Sequence, residues 1–323
     1  MKRRYLLQAA VAAVIATALP AAAETQTIRV ANLEIAPFLP VAYAAKIASK
    51  HGIKVEVVNF RRGLEAANAL KAGEVDVAVG GVEAAISAIG GGAPAVIVAG
   101  CSTGGLAWVS AKDAPINSVD DLKGKSFAVI RGLHELVMLA EFEKHKLKIV
   151  EDKSPDGVHV VYINSPPSLN VALKGGDVDA MSAPEPFPSR AISEGYAKPL
   201  IRPFDTALRD VPRAIFMRKD FIEKNPELAQ KYVDSIVDAT KQLRDSPALA
   251  KDFALNDALK EAITEQDWDL SVDNIKFDVS LDADEIGAYI TYMTKYGMLK
   301  ASIDEAAVTS LDMLAKAKAS QGW

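Results

Sequence analysis

The sequence has one cysteine, Cys101, and four histidines in 323 residues. A single thiol excludes an intramolecular disulfide, so the fold relies on its apolar core rather than on covalent staples. The histidines have no two-His spacing and no acidic run has EF-hand spacing, so no metal motif stands out; carboxylates holding a hard cation remain only a minor reading. Positive charge is not in excess: 37 Lys and Arg stand against 42 Asp and Glu, for a formal charge of −5. That balance argues against a nucleic-acid surface, which needs a basic patch. No block of like charge and no low-complexity tail is present. Past the first two dozen residues, no apolar stretch approaches the roughly 20 residues a membrane helix needs.

What is present begins with that N-terminus. Lys2, Arg3 and Arg4 precede an apolar run over 6–19, and Ala21-Ala22-Ala23 offers an A-x-A cleavage site. This predicts a secretory signal over 1–23 that is removed on export. Arg3-Arg4-Tyr5-Leu6-Leu7 also fits the twin-arginine pattern, and the export route is left open. No cysteine follows the cleavage site to carry a lipid anchor. The mature protein is expected to be soluble, periplasmic and monomeric. With half its residues hydrophobic, the chain can bury a large core, at the border between one and two domains.

One stretch occurs twice. Leu70-Lys71-Ala72-Gly73-Glu74-Val75-Asp76-Val77 is restated as Leu173-Lys174-Gly175-Gly176-Asp177-Val178-Asp179-Ala180. Each copy reads as a helix end, a Gly C-cap, an acid and a short buried strand. The elements before the copies correspond. Strands at 28–33 and 55–60 and helices at 38–50 and 64–71 precede the first. Strands at 127–130 and 158–163 and helices at 133–146 and 169–174 precede the second. Strand–helix–strand–helix–strand written twice predicts two α/β lobes with largely parallel sheets. A strand over 106–110 would cross to the second lobe and one over 214–218 would return. The expected division is 24–108 plus 214–323 for the first lobe and 109–213 for the second. The helical C-terminal third would pack around the first lobe, with helix starts at Asn225-Pro226, Ser246-Pro247, Asn256, Thr264 and Asp282.

These pieces resemble the periplasmic solute-binding proteins of ABC importers, in the nitrate, sulfonate, taurine and thiamine-pyrimidine-precursor group. The matching motifs are the two turns, Asp121-Leu122-Lys123-Gly124-Lys125, Glu185-Pro186-Phe187 and Phe221-Ile222-Glu223-Lys224-Asn225-Pro226, in that order along the chain. The resemblance implies a two-lobed type II periplasmic-binding-protein fold that closes on a small molecule and hands it to an inner-membrane permease. It implies no catalysis and no cofactor. A synthase of the same fold, and a sensory protein feeding a receptor kinase, are its alternatives. Its ligand loops map onto Glu34 and Phe38, Gly81 and Glu83, Ser102 and Thr103, Gly132, His134 and Glu135, and Glu185 and Phe187. Where sulfonate binders place Ser or Thr after the glycine of the second-lobe helix, this chain has Gly132-Leu133-His134-Glu135. Where the family often has an aromatic residue before Pro-Phe, it has Glu185.

Ligands of open α/β sheets sit beyond the carboxyl ends of the strands, where these loops lie. Four acids there, Glu34, Glu83, Glu135 and Glu185, predict a ligand with positive or donor groups, such as an amine or an aminopyrimidine, because carboxylates in a dry cleft need a partner. Phe38 and Phe187 could stack on it. The alternatives are that each acid caps a helix, or that Arg131 or Arg213 clamps an anionic, sulfonate- or nitrate-like solute. Cys101 and Trp108 are expected in the core, and His51, His145 and His159 in packing or surface roles.

Overall fold

The computed structural model describes residues 27–260, 262–300 and 303–323. The expected export signal lies outside the described residues. Twelve strands are described: β1 (Thr27–Leu33), β2 (Lys54–Phe60), β3 (Val77–Gly81), β4 (Ala95–Gly104), β5 (Leu106–Ala111), β6 (Ser126–Val129), β7 (Ile149–Val150), β8 (Val158–Tyr162), β9 (Ala180–Pro184), β10 (Ala197–Ile201), β11 (Pro212–Arg218) and β12 (Ile275–Lys276). They form two six-stranded sheets, ordered β12-β4-β11-β3-β1-β2 and β10-β5-β9-β6-β8-β7. In each sheet the central run is parallel (β2-β1-β3 and β8-β6-β9), and an antiparallel strand, β11 or β5, lies beside it. The chain changes sheet at Gly104-Gly105 and returns between Ile201 and Pro212, so the expected crossing strands are β5 and β11.

The repeated stretch has one job in both lobes. Gly73 (φ 78, ψ 12) and Gly176 (φ 78, ψ 13) end their helices in the same left-handed conformation, which costs a glycine no Cβ clash. The acid that follows ties its strand to the first strand of its own lobe. Asp76 Oδ2 accepts the backbone N–H of Arg29 at 3.0 Å, and Asp179 Oδ2 accepts that of Ser126 at 2.7 Å. Because Val75 and Asp76 serve this turn, β3 begins at Val77, two residues beyond the expected strand start.

The C-terminal helices Pro226–Asp245 and Asp312–Gln321 pack on the first sheet and on the helix Leu39–Ile47. Leu228, Tyr232, Val233, Ile236 and Val237 recur at helical spacing and are buried there. β4 runs through the polar segment to Gly104 because β11 and β12 pair along its two sides. One expectation needs correction. Asn256 does not start a helix but lies within the π-helical turn Ala254–Ala258. The C-terminal third also reaches further than expected, since the helix Glu265–Ser271 packs against Phe187–Ser193 beside the second sheet. Trp108 is fully buried with Phe127, ring centroids 4.6 Å apart, and Cys101 is fully buried in the other core.

Candidate functional site

Strand β11 sets the geometry of the junction between the sheets. It runs between β3 and β4, and its register places Arg213 opposite Gly81 on one side and Ser102 on the other. The Arg213 guanidinium is buried, 3% exposed, and donates from Nε and Nη2 to the carbonyl of Gly104 (3.2 and 2.7 Å) and from Nη2 to that of Gly105 (3.1 Å). It is thereby fixed at the chain crossing. Among the described residues it forms no salt bridge, and burial pulls its pKa down to about 10.

Gly81 ends β3 and stands at the N-cap of the helix Val82–Gly90, with Glu83 in the first turn. Glu83 is 6% exposed and its Oε2 has no hydrogen-bond partner among the described residues. Burial pushes its pKa up to about 7, against the pull of the Arg213 charge and of nearby backbone N–H groups, among them that of Leu133. The second lobe meets Glu83 directly. Gly132, at φ +100, lets β6 turn into the helix Leu133–Lys144, and a Cβ there would lie 3.0 Å from Glu83 Oε1. A Cβ on Gly81 would lie 2.8 Å from Leu133 Cδ2. Two glycines thus bring the two helix starts into contact.

His134 is buried one residue further on, with Nδ1 3.0 Å from Ser182 Oγ. Burial, and to a lesser degree the Arg213 charge, hold its pKa down to about 3, so the imidazole is neutral. On the adjacent strand, Ser102 Oγ donates to the carbonyl of Pro37 at 2.7 Å, while the buried Thr103 Oγ1 has no partner among the described residues. Gly81 and Ser102 flank Arg213 in the sheet, Glu83 and His134 feel its charge, and Gly132 abuts Glu83, so these residues gather at the junction, whereas Thr103 pairs with Pro212 and Lys276 one step away.

The remaining expected residues are engaged elsewhere, so the four carboxylates do not line one cleft. Glu135 caps its own helix: it accepts from Gly132 N (3.3 Å) and pairs with Arg131 Nη1 (2.9 Å). Arg131 lies 3.7 Å over the Tyr162 ring, so neither charge is free. Glu185 is fully buried and internally bonded, accepting from Asn274 Nδ2 (2.7 Å), Ser271 Oγ (3.2 Å) and Ser189 N (3.4 Å). Burial still raises its pKa. Glu34 is exposed and accepts from Asn59 Nδ2 at 2.6 Å. Phe38 is 1% exposed in the first core, and Phe187 is half-buried against the helix Pro166–Gly175, its carbonyl accepting from Asn170 Nδ2.

Sequence reasoning passed over the clasp that holds Glu185. Arg190 and Ser193 of the second lobe bond to Asp267, and Arg190 also to the carbonyl of Ala262. The Thr264 capping box marked this helix start, but nothing local showed that the helix reaches across to the second lobe. Among the described residues no group of three His, Cys, Asp or Glu could hold a metal ion, and no helix is long and apolar enough to cross a membrane.

A model of the NMT1-like family matches residues 21–255. The fold is similar to the zinc-bound ligand-binding component of an ABC-type import system from Staphylococcus aureus, with TM-score 0.79 and 17% identity over 91% of this chain and 99% of that one. It is similar to the periplasmic nitrate-binding protein NrtA from Synechocystis PCC 6803, with TM-score 0.75 and 16% identity over 92% and 89% of the two chains. It is also similar to the periplasmic aliphatic sulphonate binding protein SsuA from Escherichia coli, with TM-score 0.73 and 19% identity over 89% and 92%. These likenesses establish a two-lobed periplasmic-binding-protein fold. No curated protein sequence matches the chain.

Proposed function

The chain belongs to the NMT1-like family, and from that premise we propose that it is the exported solute-binding component of an ABC-type importer. It takes a small polar molecule between its lobes and delivers it to an inner-membrane permease, acting as a monomer after removal of residues 1–23. The first lobe comprises 24–108 with 214–323, and the second 109–213. The observation that carries this reading is the junction: groups from both lobes meet there, and Glu83 Oε2 is buried without a partner among the described residues. Buried polar groups left unpaired are costly, and a ligand that pairs them gains that cost back. Opening the contact between Leu133 and Gly81 admits the ligand and closing it excludes water.

An aminopyrimidine or a related amine matches the chemistry, with an amino donor for Glu83 and an acceptor for Arg213. A second reading, a small anion, is favoured by one observation, the lack of any salt bridge to the buried Arg213 among the described residues. A cysteine-nucleophile reaction is disfavoured, because the Cys101 thiol is buried and pushed up to about 12.

A thermal-shift screen of unfolded and refolded protein tests this. Aminopyrimidines and amines are set against sulfonates, nitrate, carboxylates and divalent metals. A ligand at about 100 times its Kd adds roughly 2.7 kcal/mol of stability. A shift with aminopyrimidines supports the first reading and one with anions the second. No shift with any class, or turnover of a substrate, would contradict the proposal.

A further inference from the structure

The chain passes from the first sheet to the second at Gly104-Gly105, two consecutive residues in the left-handed region (φ 76 and 69). Only glycine fits there. A Cβ on Gly104 would lie 2.5 Å from the Asn274 carbonyl oxygen, and one on Gly105 would run into Pro37. Two glycines in a row are also the loosest pair a chain can have, so their single shape must be imposed from outside.

Distant stretches of the chain impose it. Gly104 N donates to the Val211 carbonyl (3.1 Å) and Gly105 N to the Asn274 carbonyl (2.6 Å), while Glu185 N donates to the Gly105 carbonyl (3.1 Å). The side-chain contribution is that of Arg213, whose fork takes both glycine carbonyls at once. A buried cation bonded to neutral carbonyls is a poor source of stability, because an apolar side chain of similar size would avoid the desolvation cost. What the guanidinium supplies is direction. Its donors are planar and fixed, and charged donors bond roughly twice as strongly as neutral ones. Both carbonyls of the outgoing connection are thereby held from one point on β11, the strand on which the chain comes back.

We propose that Arg213 is the positioning residue of lobe closure: by holding the Gly104 and Gly105 carbonyls it sets the angle at which the second lobe meets the first. This rests on the reading that the lobes open and close around a solute, and it holds whether or not Arg213 also touches that solute. Without the guanidinium the crossing samples a wider range. Fewer molecules then have Glu83 against Gly132 and Leu133, and affinity falls by the fraction lost.

The test is pulsed electron–electron double resonance on refolded, ligand-free protein with nitroxides on Leu64→Cys and Val171→Cys. Both positions are exposed, on helices packed against the first and second sheets respectively, and the buried Cys101 does not compete for label. The labelled parent is expected to give one narrow distance distribution, and Arg213→Met one at least twice as broad. Arg213→Lys, which keeps the charge but loses the fork, is expected to fall between them. Ile215→Val removes packing from the same strand without touching the crossing, and should keep the parent width. A second measurement needs no substitution at Arg213: by NMR, its Nε–H should exchange with water at least a hundredfold more slowly than that of the exposed Arg131. Parent width in either folded Arg213 variant, equal broadening in Ile215→Val, or equally fast Nε–H exchange would each overturn the proposal. If Arg213→Met does not fold, Arg213→Lys and the Nε–H exchange decide it. Every arm is free of ligand, so failure here leaves the transport reading standing, and an empty thermal-shift screen would fail that reading without moving these results.

Discussion

The two lobes share a scaffold and differ in where they keep charge. Each has its Gly-capped turn, its Asp tied to the first strand and its antiparallel strand beside the third. At the junction the likeness ends. The first lobe brings Glu83, with a carboxyl oxygen unpaired among the described residues, and Arg213, with no salt bridge among them. The second brings a neutral His134, and its two acids, Glu135 and Glu185, are already bonded within the protein. The repeat therefore builds the frame, and the residues proposed for recognition are ones the repeat does not share. On this account the first lobe reads the ligand's charge and the second closes over it.

The largest effect should come from the clasp on the second lobe. Glu185→Ala leaves the Asn274 amide and the Ser189 N–H unpaired in the interior, while Ser271 keeps its bond to the Asp267 carbonyl. Each such orphan costs about 1–3 kcal/mol, so a total loss near 4 kcal/mol is expected in urea unfolding. A loss under 1 kcal/mol would show that Glu185 is not structural, and would return it to the candidate ligand groups.

The next effect separates the lobes by pH. The folded-state pKa of Glu83, about 7, lies above its ordinary value of 4.5, so the unfolded chain loses this proton first. Stability is then lost as pH rises from 4.5 through 7, by about 3 kcal/mol at roughly 1.4 kcal/mol per unit. His134 acts in the opposite sense. Its pKa is depressed from 6.5 to about 3, so the stability of its neutral form is lost as pH falls below 6.5. Between pH 4.5 and 6.5 the two slopes oppose and largely cancel, so in unfolding measured from pH 4 to 8 Glu83→Gln should unmask a rise of stability with pH and His134→Gln a fall.

A smaller difference sharpens the comparison of the turns. Asp76 accepts Arg29 Nε (3.2 Å) and Nη2 (2.8 Å) besides the backbone bond, whereas among the described residues the Asp179 side chain has only its bond from Ser126 N. Asp76→Ala should cost about 2.5 kcal/mol and Asp179→Ala about 1 kcal/mol; the margin stays modest because the Arg29 side chain is 41% exposed and partly screened. Equal losses in urea unfolding would show that the ion pair adds nothing. Last, Arg131→Ala should change stability by under about 0.5 kcal/mol and leave ligand affinity intact, since its partner Glu135 still caps the helix.

The frame was legible because its signals are local. A Gly C-cap, a following acid and an apolar strand need only eight residues to declare themselves, and the helix starts at Asn225-Pro226, Ser246-Pro247, Thr264 and Asp282 carry capping or Pro-N1 chemistry. The site was legible only in part. The place of Gly81, Glu83, Gly132 and His134 at the junction could be expected because they end strands or begin helices. The central role of Arg213 depends on β11 inserting between β3 and β4, a pairing across more than a hundred residues that no local pattern encodes. Glu185 looked like a cleft acid for the same reason: its partners Ser271 and Asn274 lie 86 and 89 residues away in sequence.

The central claim is that the ligand is held between the lobes by Glu83 and Arg213. Its most direct test is calorimetric titration of the ligand found by the thermal-shift screen into refolded wild-type, Glu83→Gln and Arg213→Met protein, each confirmed folded. The account predicts that both substitutions weaken binding at least tenfold, about 1.4 kcal/mol. Wild-type affinity in both variants would contradict it and move the binding site away from the junction.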